Sequence, residues 1–214
     1  MSQNLPRSLM FVLLVSYLIG SIPWGYIIGR ANGIDIRKHG SHNIGATNVT
    51  RVLGAVPGRL CFVLDFLKGW FPVVFFGSAR IASRLALSQG WCMLLAAAAA
   101  VLGHVFPVWL LFRGGKGVAT SIGACLAMAF WPVVIGALAW FIVYKKTLVV
   151  AIASLTLAMV TPLSALILRL AGLSDLSWQA VVLMFLLGVL IILRHHENIR
   201  RLLKGEENSF KKKA

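Results

Sequence analysis

Two short polar segments of this chain bring together residue types that bind phosphate. The first polar segment is GSHNIGATN (Gly40–Asn48), and an arginine, Arg51, follows it three residues later. Small residues let backbone N–H groups converge on an anion, and a guanidinium can hold a phosphate through paired hydrogen bonds. The alternative is an ordinary loop in which Thr47 or Asn48 caps a helix, and the segment alone favours the two equally. The anion site would use Ser41, Asn43, Gly45, Ala46, Thr47, Asn48 and Arg51.

The second polar segment is FRGGKG (Phe112–Gly117), in which Gly114, Gly115 and Gly117 surround Lys116. It precedes a predicted helix, and the free N–H groups and dipole at a helix N-terminus favour an anion. It is not a Walker A loop, because Gly117 follows the lysine and the required upstream glycine is missing. The alternative is a flexible positive-inside turn. Three glycines favour a site, since their entropy is wasted unless a close approach is needed.

Histidines also occur near the predicted ends of apolar segments. His104 in GHVFPVW can orient the Lys116 loop or donate to a substrate, although a lone histidine there is more often structural. His195 and Asn198 in RHHENIRRLL are three residues apart, hence on one helical face, from which they can reach over a site. The alternative for this segment is a basic amphipathic helix lying in the membrane interface, which composition alone favours.

Asp65 and Lys68 lie three residues apart inside an apolar segment. Charge within a membrane is costly, so it predicts a paired or functional role. A buried pair that holds the helix is slightly favoured over direct substrate contact.

The elements that must position these residues are membrane helices. The chain has 214 residues, 59% of them hydrophobic, and 21 Lys and Arg against 6 Asp and Glu, with a mean hydropathy of +0.85. A soluble domain of this size could not bury so much apolar surface. Positive-inside topology and attraction to anionic lipid or phosphate explain the basic excess better than nucleic acid does. The three cysteines lack metal spacing and read as small buried hydrophobes.

Hydropathy and charge predict an all-α membrane bundle of seven helices. The apolar run 117–144 is interrupted at Trp131-Pro132, and splitting it into two short helices puts the basic segments Arg30–Arg59, Arg113–Lys116 and Arg194–Lys213 on one side of the membrane. Arg80 and Arg84 then lie on the other side, against this orientation. The N-terminus is then outside and the C-terminus cytosolic. We predict one domain, 1–214, with a mobile charged tail at 206–214, and a first helix that is retained. The other spans are Leu9–Ile28, Leu60–Gly77, Trp91–Leu111, Leu148–Leu168 and Val181–Leu193.

Several reaction chemistries lack their residues in this sequence. The H-x-x-x-x-D motif of common glycerolipid acyltransferases is missing, and so are H-E-x-x-H and a Ser-His-Asp nucleophile elbow. No carboxylates form a pair at motif spacing. An enzyme here must therefore rely on positioning and electrostatics.

The motifs, taken in order, resemble the bacterial acyl-phosphate:glycerol-3-phosphate acyltransferase family (PlsY type). The resemblance runs from about Ser16 to Glu207, and several multi-residue motifs in fixed order make it specific, whereas GGKG alone would be weak. The motifs are SIPWGY, GSHNIGATN-VTR, LDFLKG, LGHVFPVWLLFRGGKGVAT and RHHENIRRLLKGEE.

The resemblance implies a seven-helix inner-membrane enzyme whose site faces the cytosol. It would transfer a fatty acyl group from acyl phosphate to the 1-hydroxyl of glycerol 3-phosphate, giving lysophosphatidic acid, without acyl-CoA or acyl carrier protein. Ser41, Arg51, Lys116, His195 and Asn198 would be the main contacts to glycerol 3-phosphate. The glycine loop and the region of Thr47 would hold the acyl phosphate.

We expect substrate-assisted catalysis, with no cofactor and no metal. The partners would be the two substrates and the lipid bilayer, without nucleic acid, and the oligomeric state stays open. Ser41, Lys116 and His195 are the residues most expected to be essential. The alternative function is a phosphate or organic-anion transporter, which would also use cationic glycine loops near helix ends. Such a transporter would show weak two-half symmetry and a site at the midplane, and the sequence shows no such symmetry.

Overall fold

The computed structural model describes residues 5–210, and within that range the chain is helix and loop without a strand. This confirms the predicted all-helical class. The chain divides into two compact units, residues 1–128 and residues 129–214. The helices of the first unit are α1 Leu5–Ser21, α2 Trp24–Ala31, α3 Ala46–Leu53, α4 Ala55–Gly77, α5 Ala79–Arg84, α6 Gln89–Val105 and α7 Val118–Met128. Those of the second unit are α8 Phe130–Thr147, α9 Val150–Leu170, α10 Trp178–Arg194 and α11 His196–Leu203.

Four helical segments between residues 5 and 210 are long and apolar enough to cross a membrane. A fifth is counted if α10 and α11, which are bent by 57° where they meet, form one span. The apolar helix α7 is shorter than these. The structure thus supports a multi-pass membrane protein, while the seven-helix count and the orientation of the termini stay predictions. The four segments are Leu5–Ala31, Ala55–Gly77, Gln89–Leu110 and Val150–Leu170.

The apolar run between residues 117 and 144 divides into two helices, but not at the predicted proline. The break falls at Ala129, whose backbone is extended, and α8 begins at Phe130. Pro132 is the third residue of α8, where its missing N–H would have had no acceptor within the helix. Proline is therefore tolerated there, and the helix extends past it on the N-terminal side.

The first apolar segment, predicted as one span over Leu9–Ile28, is broken in the structure. Helix α1 ends at Ser21, and Pro23 occupies the position before α2 begins. The break leaves backbone groups that a continuous helix would have paired. Its carbonyl at Ile22 becomes part of the site described below.

Glycines set the closest helix crossings of the first unit. A Cβ added at Gly20 or Gly103 would collide with the backbone of the facing helix where α1 crosses α6. The same holds for Gly69 and Gly123 where α4 crosses α7. Small residues let membrane helices approach until their backbones touch. These crossings place the ends of α6 and α7, which flank the second polar segment, against α1 and α4.

The second unit is also packed through small and hydroxyl residues. The Ser164 hydroxyl of α9 lies 3.3 Å from the carbonyl oxygen of Pro132, and the Trp140 indole N–H donates to the Ser154 hydroxyl at 3.3 Å. A Cβ at Gly188 would collide with the Ala158 carbonyl, which brings α10 close to α9. This unit carries the joint between α10 and α11.

Candidate active site

The first polar segment is folded around the side chain of Asn48, which is 1% exposed. Its amide nitrogen donates to the carbonyl oxygens of Ile36 at 3.2 Å, His39 at 3.0 Å and Asn43 at 2.8 Å. Its amide oxygen accepts from the Ser41 backbone N–H at 2.8 Å. One side chain therefore closes the loop, and its polar atoms are used within the loop.

The loop ends by starting helix α3. The Asn43 amide oxygen accepts from the Gly45 N–H at 2.8 Å, and Gly45 is the residue before the helix. Neither Thr47 nor Asn48 caps α3, contrary to that alternative, since the helix already begins at Ala46. In this first turn the Asn48 N–H donates back to the Gly45 carbonyl at 3.0 Å, whereas the earlier N–H groups lack an acceptor within the helix, as at every helix start. Thr47 lies in that turn, while Arg51 lies in the last turn; both are half-buried.

The second polar segment returns along the end of α6. The Gly114 N–H donates to the Val105 carbonyl at 3.2 Å, and the Gly115 N–H donates to the His104 carbonyl at 3.1 Å. A Cβ at Gly115 would collide with the His104 imidazole. Gly117 has a φ of +86°, which glycine adopts at little cost, and helix α7 starts directly after it. The predicted close approach exists, and it is made to the protein itself.

A buried charged cluster lies between the two polar segments. The Lys68 ammonium is 2.9 Å from Asp65 Oδ1, and these side chains are 2% and 3% exposed. The same oxygen is 3.6 Å from Nδ1 of His104, a residue that is 4% exposed. Lys68 also donates to the carbonyl of Ile22 at 2.7 Å, in the break between α1 and α2. The predicted Asp65–Lys68 pair is thus part of a larger group.

The cluster also contacts the first polar segment. The Cys61 sulfur lies 3.7 Å from Asp65 Oδ2 and 3.9 Å from the carbonyl oxygen of Ile44, inside that segment. A Cβ at Gly25 would collide with the same Ile44 carbonyl. The structure therefore joins both polar segments to one buried cluster.

Two further predicted residues, His195 and Asn198, lie in the second unit and are both buried. His195 occupies the joint between α10 and α11, where its Nδ1 is 2.8 Å from the Ile191 carbonyl. A carbonyl only accepts, so Nδ1 carries the proton in this contact. The Asn198 amide donates to the Glu207 carboxylate at 2.8 Å.

Glu207 is a residue that sequence reasoning did not single out. Its carboxylate also accepts from the Arg201 guanidinium at 2.8 Å, and its side chain is 6% exposed. The signal was an acidic residue in a basic terminal segment, directly after a turn at Gly205. The Phe210 N–H donates to the Leu148 carbonyl at 3.0 Å. Residues 206–210 of the predicted mobile tail are thus anchored at two points, while residues 211–214 lie outside the described residues.

An exposed ion pair borders the first polar segment. The Arg37 guanidinium donates to both carboxylate oxygens of Asp35, at 2.9 and 2.7 Å. Hydrogen bonding to Arg37 lowers the pKa of Asp35 from 3.8 to about 2. The His42 Nδ1–H donates to the Arg37 carbonyl at 3.0 Å and ties the pair to the segment.

Among residues 5–210, no group of three or more His, Cys, Asp or Glu side chains is arranged to hold a metal ion. The cationic and hydroxyl groups of the two polar segments are instead suited to binding an anion.

The fold and these segments define a class: a helical, multi-pass membrane protein with two glycine-containing polar loops, one followed by an arginine and the other holding a lysine, on one buried cluster. Residues 10–205 match the family model described as "Glycerol-3-phosphate acyltransferase". The chain belongs to this family, as its motifs led us to expect.

Relatives of similar length carry the same name. The chain is 41% identical over 202 residues to the glycerol-3-phosphate acyltransferase of Aquifex aeolicus, covering 94% of this chain and 98% of the relative. It is 41% identical over 199 residues to that of Geobacter sulfurreducens, covering 92% and 95%.

Two solved structures are also similar to this chain. Both are crystal structures of PlsY (YgiH), an integral membrane glycerol 3-phosphate acyltransferase, in its glycerol 3-phosphate form and its lysophosphatidic acid form. Each is 37% identical and covers 95% of this chain and 96% of the other, with TM-scores of 0.82 and 0.80.

Proposed function

We propose that this protein transfers a fatty acyl group from acyl phosphate to the 1-hydroxyl of glycerol 3-phosphate. The products are lysophosphatidic acid and inorganic phosphate. The observation that carries the proposal is the similarity, over 95% of the chain, to one enzyme in a glycerol 3-phosphate form and in a lysophosphatidic acid form. These two compounds are the acceptor and the product of one acyl transfer.

The site geometry supports a reaction between two phosphate-bearing substrates. Ser41 of the first polar segment, Arg51 of helix α3 and Lys116 of the second polar segment bind glycerol 3-phosphate. The Gly114–Gly117 loop and the region of Thr47 hold the phosphate of the donor. Both polar segments contact the Asp65 cluster, through Ile44 and through His104, which supports binding two anions side by side. On the motif resemblance alone, the proposal keeps His195 and Asn198 as further ligands.

The mechanism proposed is substrate-assisted. The 1-hydroxyl oxygen attacks the acyl carbonyl carbon, and the bond between that carbon and the phosphate oxygen breaks. The hydroxyl proton passes to the departing phosphate, so the protein supplies no general base. Backbone N–H groups of the Gly114–Gly117 loop and of the region of Thr47 stabilise the charge that moves onto the leaving phosphate, while Arg51 and Lys116 hold the phosphate of the acceptor beside it.

The proposed location is the bacterial cytoplasmic membrane, with seven spans, an external N-terminus and a site that faces the cytosol. The basic segments around the two polar segments support this orientation through the positive-inside rule. The acyl chain of the donor is taken up by the apolar bundle or by the bilayer.

The direct test is a transfer assay. Purified protein in detergent, given acyl phosphate and glycerol 3-phosphate, is expected to form lysophosphatidic acid and phosphate in equal amounts. An active transporter that forms no lysophosphatidic acid would contradict the proposal, and uptake of glycerol 3-phosphate into vesicles measures that alternative.

Two substitutions test whether cationic side chains bind the phosphate groups of the substrates. Lys116→Ala and Arg51→Ala should each abolish transfer while the protein still inserts, because a phosphate loses a cationic partner. Transfer rates and membrane insertion are measured together. Wild-type turnover in either purified variant contradicts this role in phosphate binding.

The role of Ser41 has its own test. Substrate assistance predicts no acyl-enzyme when the protein is incubated with labelled donor alone. A label that stays on the denatured protein, and is lost in Ser41→Ala, would show instead that Ser41 is a covalent nucleophile.

A further inference from the structure

We propose that Asp65, Lys68 and His104 form a positioning triad that sets the place of Lys116, and that none of the three contacts a substrate. The inference rests on the proposed function, because it assigns a role within the same site. All three side chains are at most 4% exposed, and burying charge is costly. A buried ion pair contributes little net stability compared with apolar packing. Its contribution here is therefore to fix the positions of the groups that it contacts.

Each member of the triad fixes a different element. Lys68 joins α4 to the break between α1 and α2, through its 2.7 Å hydrogen bond to the Ile22 carbonyl. That carbonyl lies at the end of α1, where the helix dipole favours a cation. Asp65 lies between Lys68 and His104, with the same carboxylate oxygen 2.9 Å from the Lys68 ammonium and 3.6 Å from Nδ1 of His104.

His104 transmits this arrangement to the second polar segment. Its ring fills the space that a side chain at Gly115 would need, and its carbonyl accepts the Gly115 N–H. Lys116 is the next residue along the chain. The orientation of the His104 ring therefore fixes the backbone from which Lys116 projects.

The other carboxylate oxygen of Asp65 faces Cys61, whose sulfur also approaches the Ile44 carbonyl of the first polar segment. One carboxylate thus lies between the two polar segments that are proposed to bind the two phosphate groups. This arrangement explains why an aspartate and a lysine are kept inside an apolar helix.

The steric contact between His104 and Gly115 supplies the test. Gly115→Ala should reduce kcat/KM by about 10- to 100-fold, because it displaces the Lys116 loop. The three heavy atoms nearest to the added methyl all belong to the His104 ring. The methyl acts only through that ring, so adding Gly115→Ala to His104→Ala should cause little further loss.

Gly114→Ala is the matched control. Its methyl would meet the carbonyl oxygens of His104 and Val105 and the ring of Pro107, which His104→Ala does not remove. Gly114→Ala should therefore cause the same loss of kcat/KM whether or not residue 104 is alanine. A Gly115→Ala change that costs as much in the His104→Ala background as in wild type overturns the proposal. If Gly115→Ala does not fold, the yield of monodisperse protein is compared instead, and a double variant that folds no better overturns it.

The kinetics of His104→Ala separate positioning from direct catalysis. Lys116 binds a phosphate that is already charged in the ground state, so misplacing Lys116 should raise KM more than it lowers kcat. A loss confined to kcat, with KM unchanged, would show that His104 acts on the reacting atoms and would overturn the proposal.

The Asp65–Lys68 pair is tested as a neutral pair, Asp65→Asn/Lys68→Met, which avoids leaving one buried charge alone. The pair acts through His104, so its effect on kcat/KM should largely disappear when His104 is already alanine. Fully additive losses overturn this step. Wild-type protein is assayed in parallel. If wild type forms no lysophosphatidic acid, the proposed function is wrong. If wild type is active, the variant comparisons test the triad separately from the function.

Discussion

The two polar segments are held in place by opposite means. The first is closed by a side chain, the Asn48 amide, which binds four backbone groups. The second is held by the lack of side chains, since Gly114 and Gly115 lie against the backbone and ring of His104. The first should therefore be sensitive to the loss of hydrogen-bonding atoms, and the second to added volume.

The largest effect is expected from Asn48→Ala in the first segment. The substitution removes the amide that donates hydrogen bonds to three carbonyl groups. Each carbonyl left buried and unpaired lowers the free energy of unfolding by about 1–3 kcal/mol. We expect a large fall in the unfolding temperature in detergent and loss of transfer. Asn43→Ala is the control: it removes the side-chain hydrogen bond to the Gly45 N–H, worth about 0.5–1.5 kcal/mol. Equal unfolding temperatures for the two variants would contradict the central role of Asn48.

An intermediate effect is expected from Gly117→Ala in the second segment. Its φ of +86° makes a side chain strained, at about 1–2 kcal/mol. Gly33 has a similar φ of +77° with open space around it, so Gly33→Ala is a matched control. Both variants should lose similar stability, but only Gly117→Ala should lower kcat/KM. A kinetic loss of the same size in Gly33→Ala would show that general destabilisation causes it.

The smallest effect is expected at the ion pair that borders the first segment. The pKa of Asp35 is lower when folded, about 2 against 3.8, so the carboxylate contributes stability above pH 4 that is lost as the pH falls to 2. The contribution is small because the pair is exposed. The difference in unfolding temperature between wild type and Asp35→Asn should therefore shrink over that range. A difference that does not change with pH would contradict this assignment.

The elements around the site were largely predictable from local sequence. The cost of charge in an apolar helix predicts the Asp65–Lys68 pair, whereas the break at Pro23, which lacks an N–H, falls inside a segment predicted as one span. The predicted position of the break before α8 was wrong by a few residues, because proline is accommodated in the first turn of a helix as well as between helices.

The contacts within the site were not predictable, because they join residues far apart in sequence. Asn48 finds an acceptor at Ile36, twelve residues upstream, and no local pattern marks that partner. The reason for Gly115 appears only once the end of α6 is known to lie against it. The contact between Asn198 and Glu207 likewise requires the chain to turn back at Gly205.

The glycine crossings have a consequence for how this family can diverge. At Gly20, Gly69, Gly103 and Gly123, the smallest available change adds one methyl group, and that group already overlaps the backbone of a neighbouring helix. No series of small substitutions can therefore adjust these distances gradually. We expect natural variation to accumulate on the surfaces that face lipid, while the spacing of α1, α4, α6 and α7 is inherited as a fixed dimension.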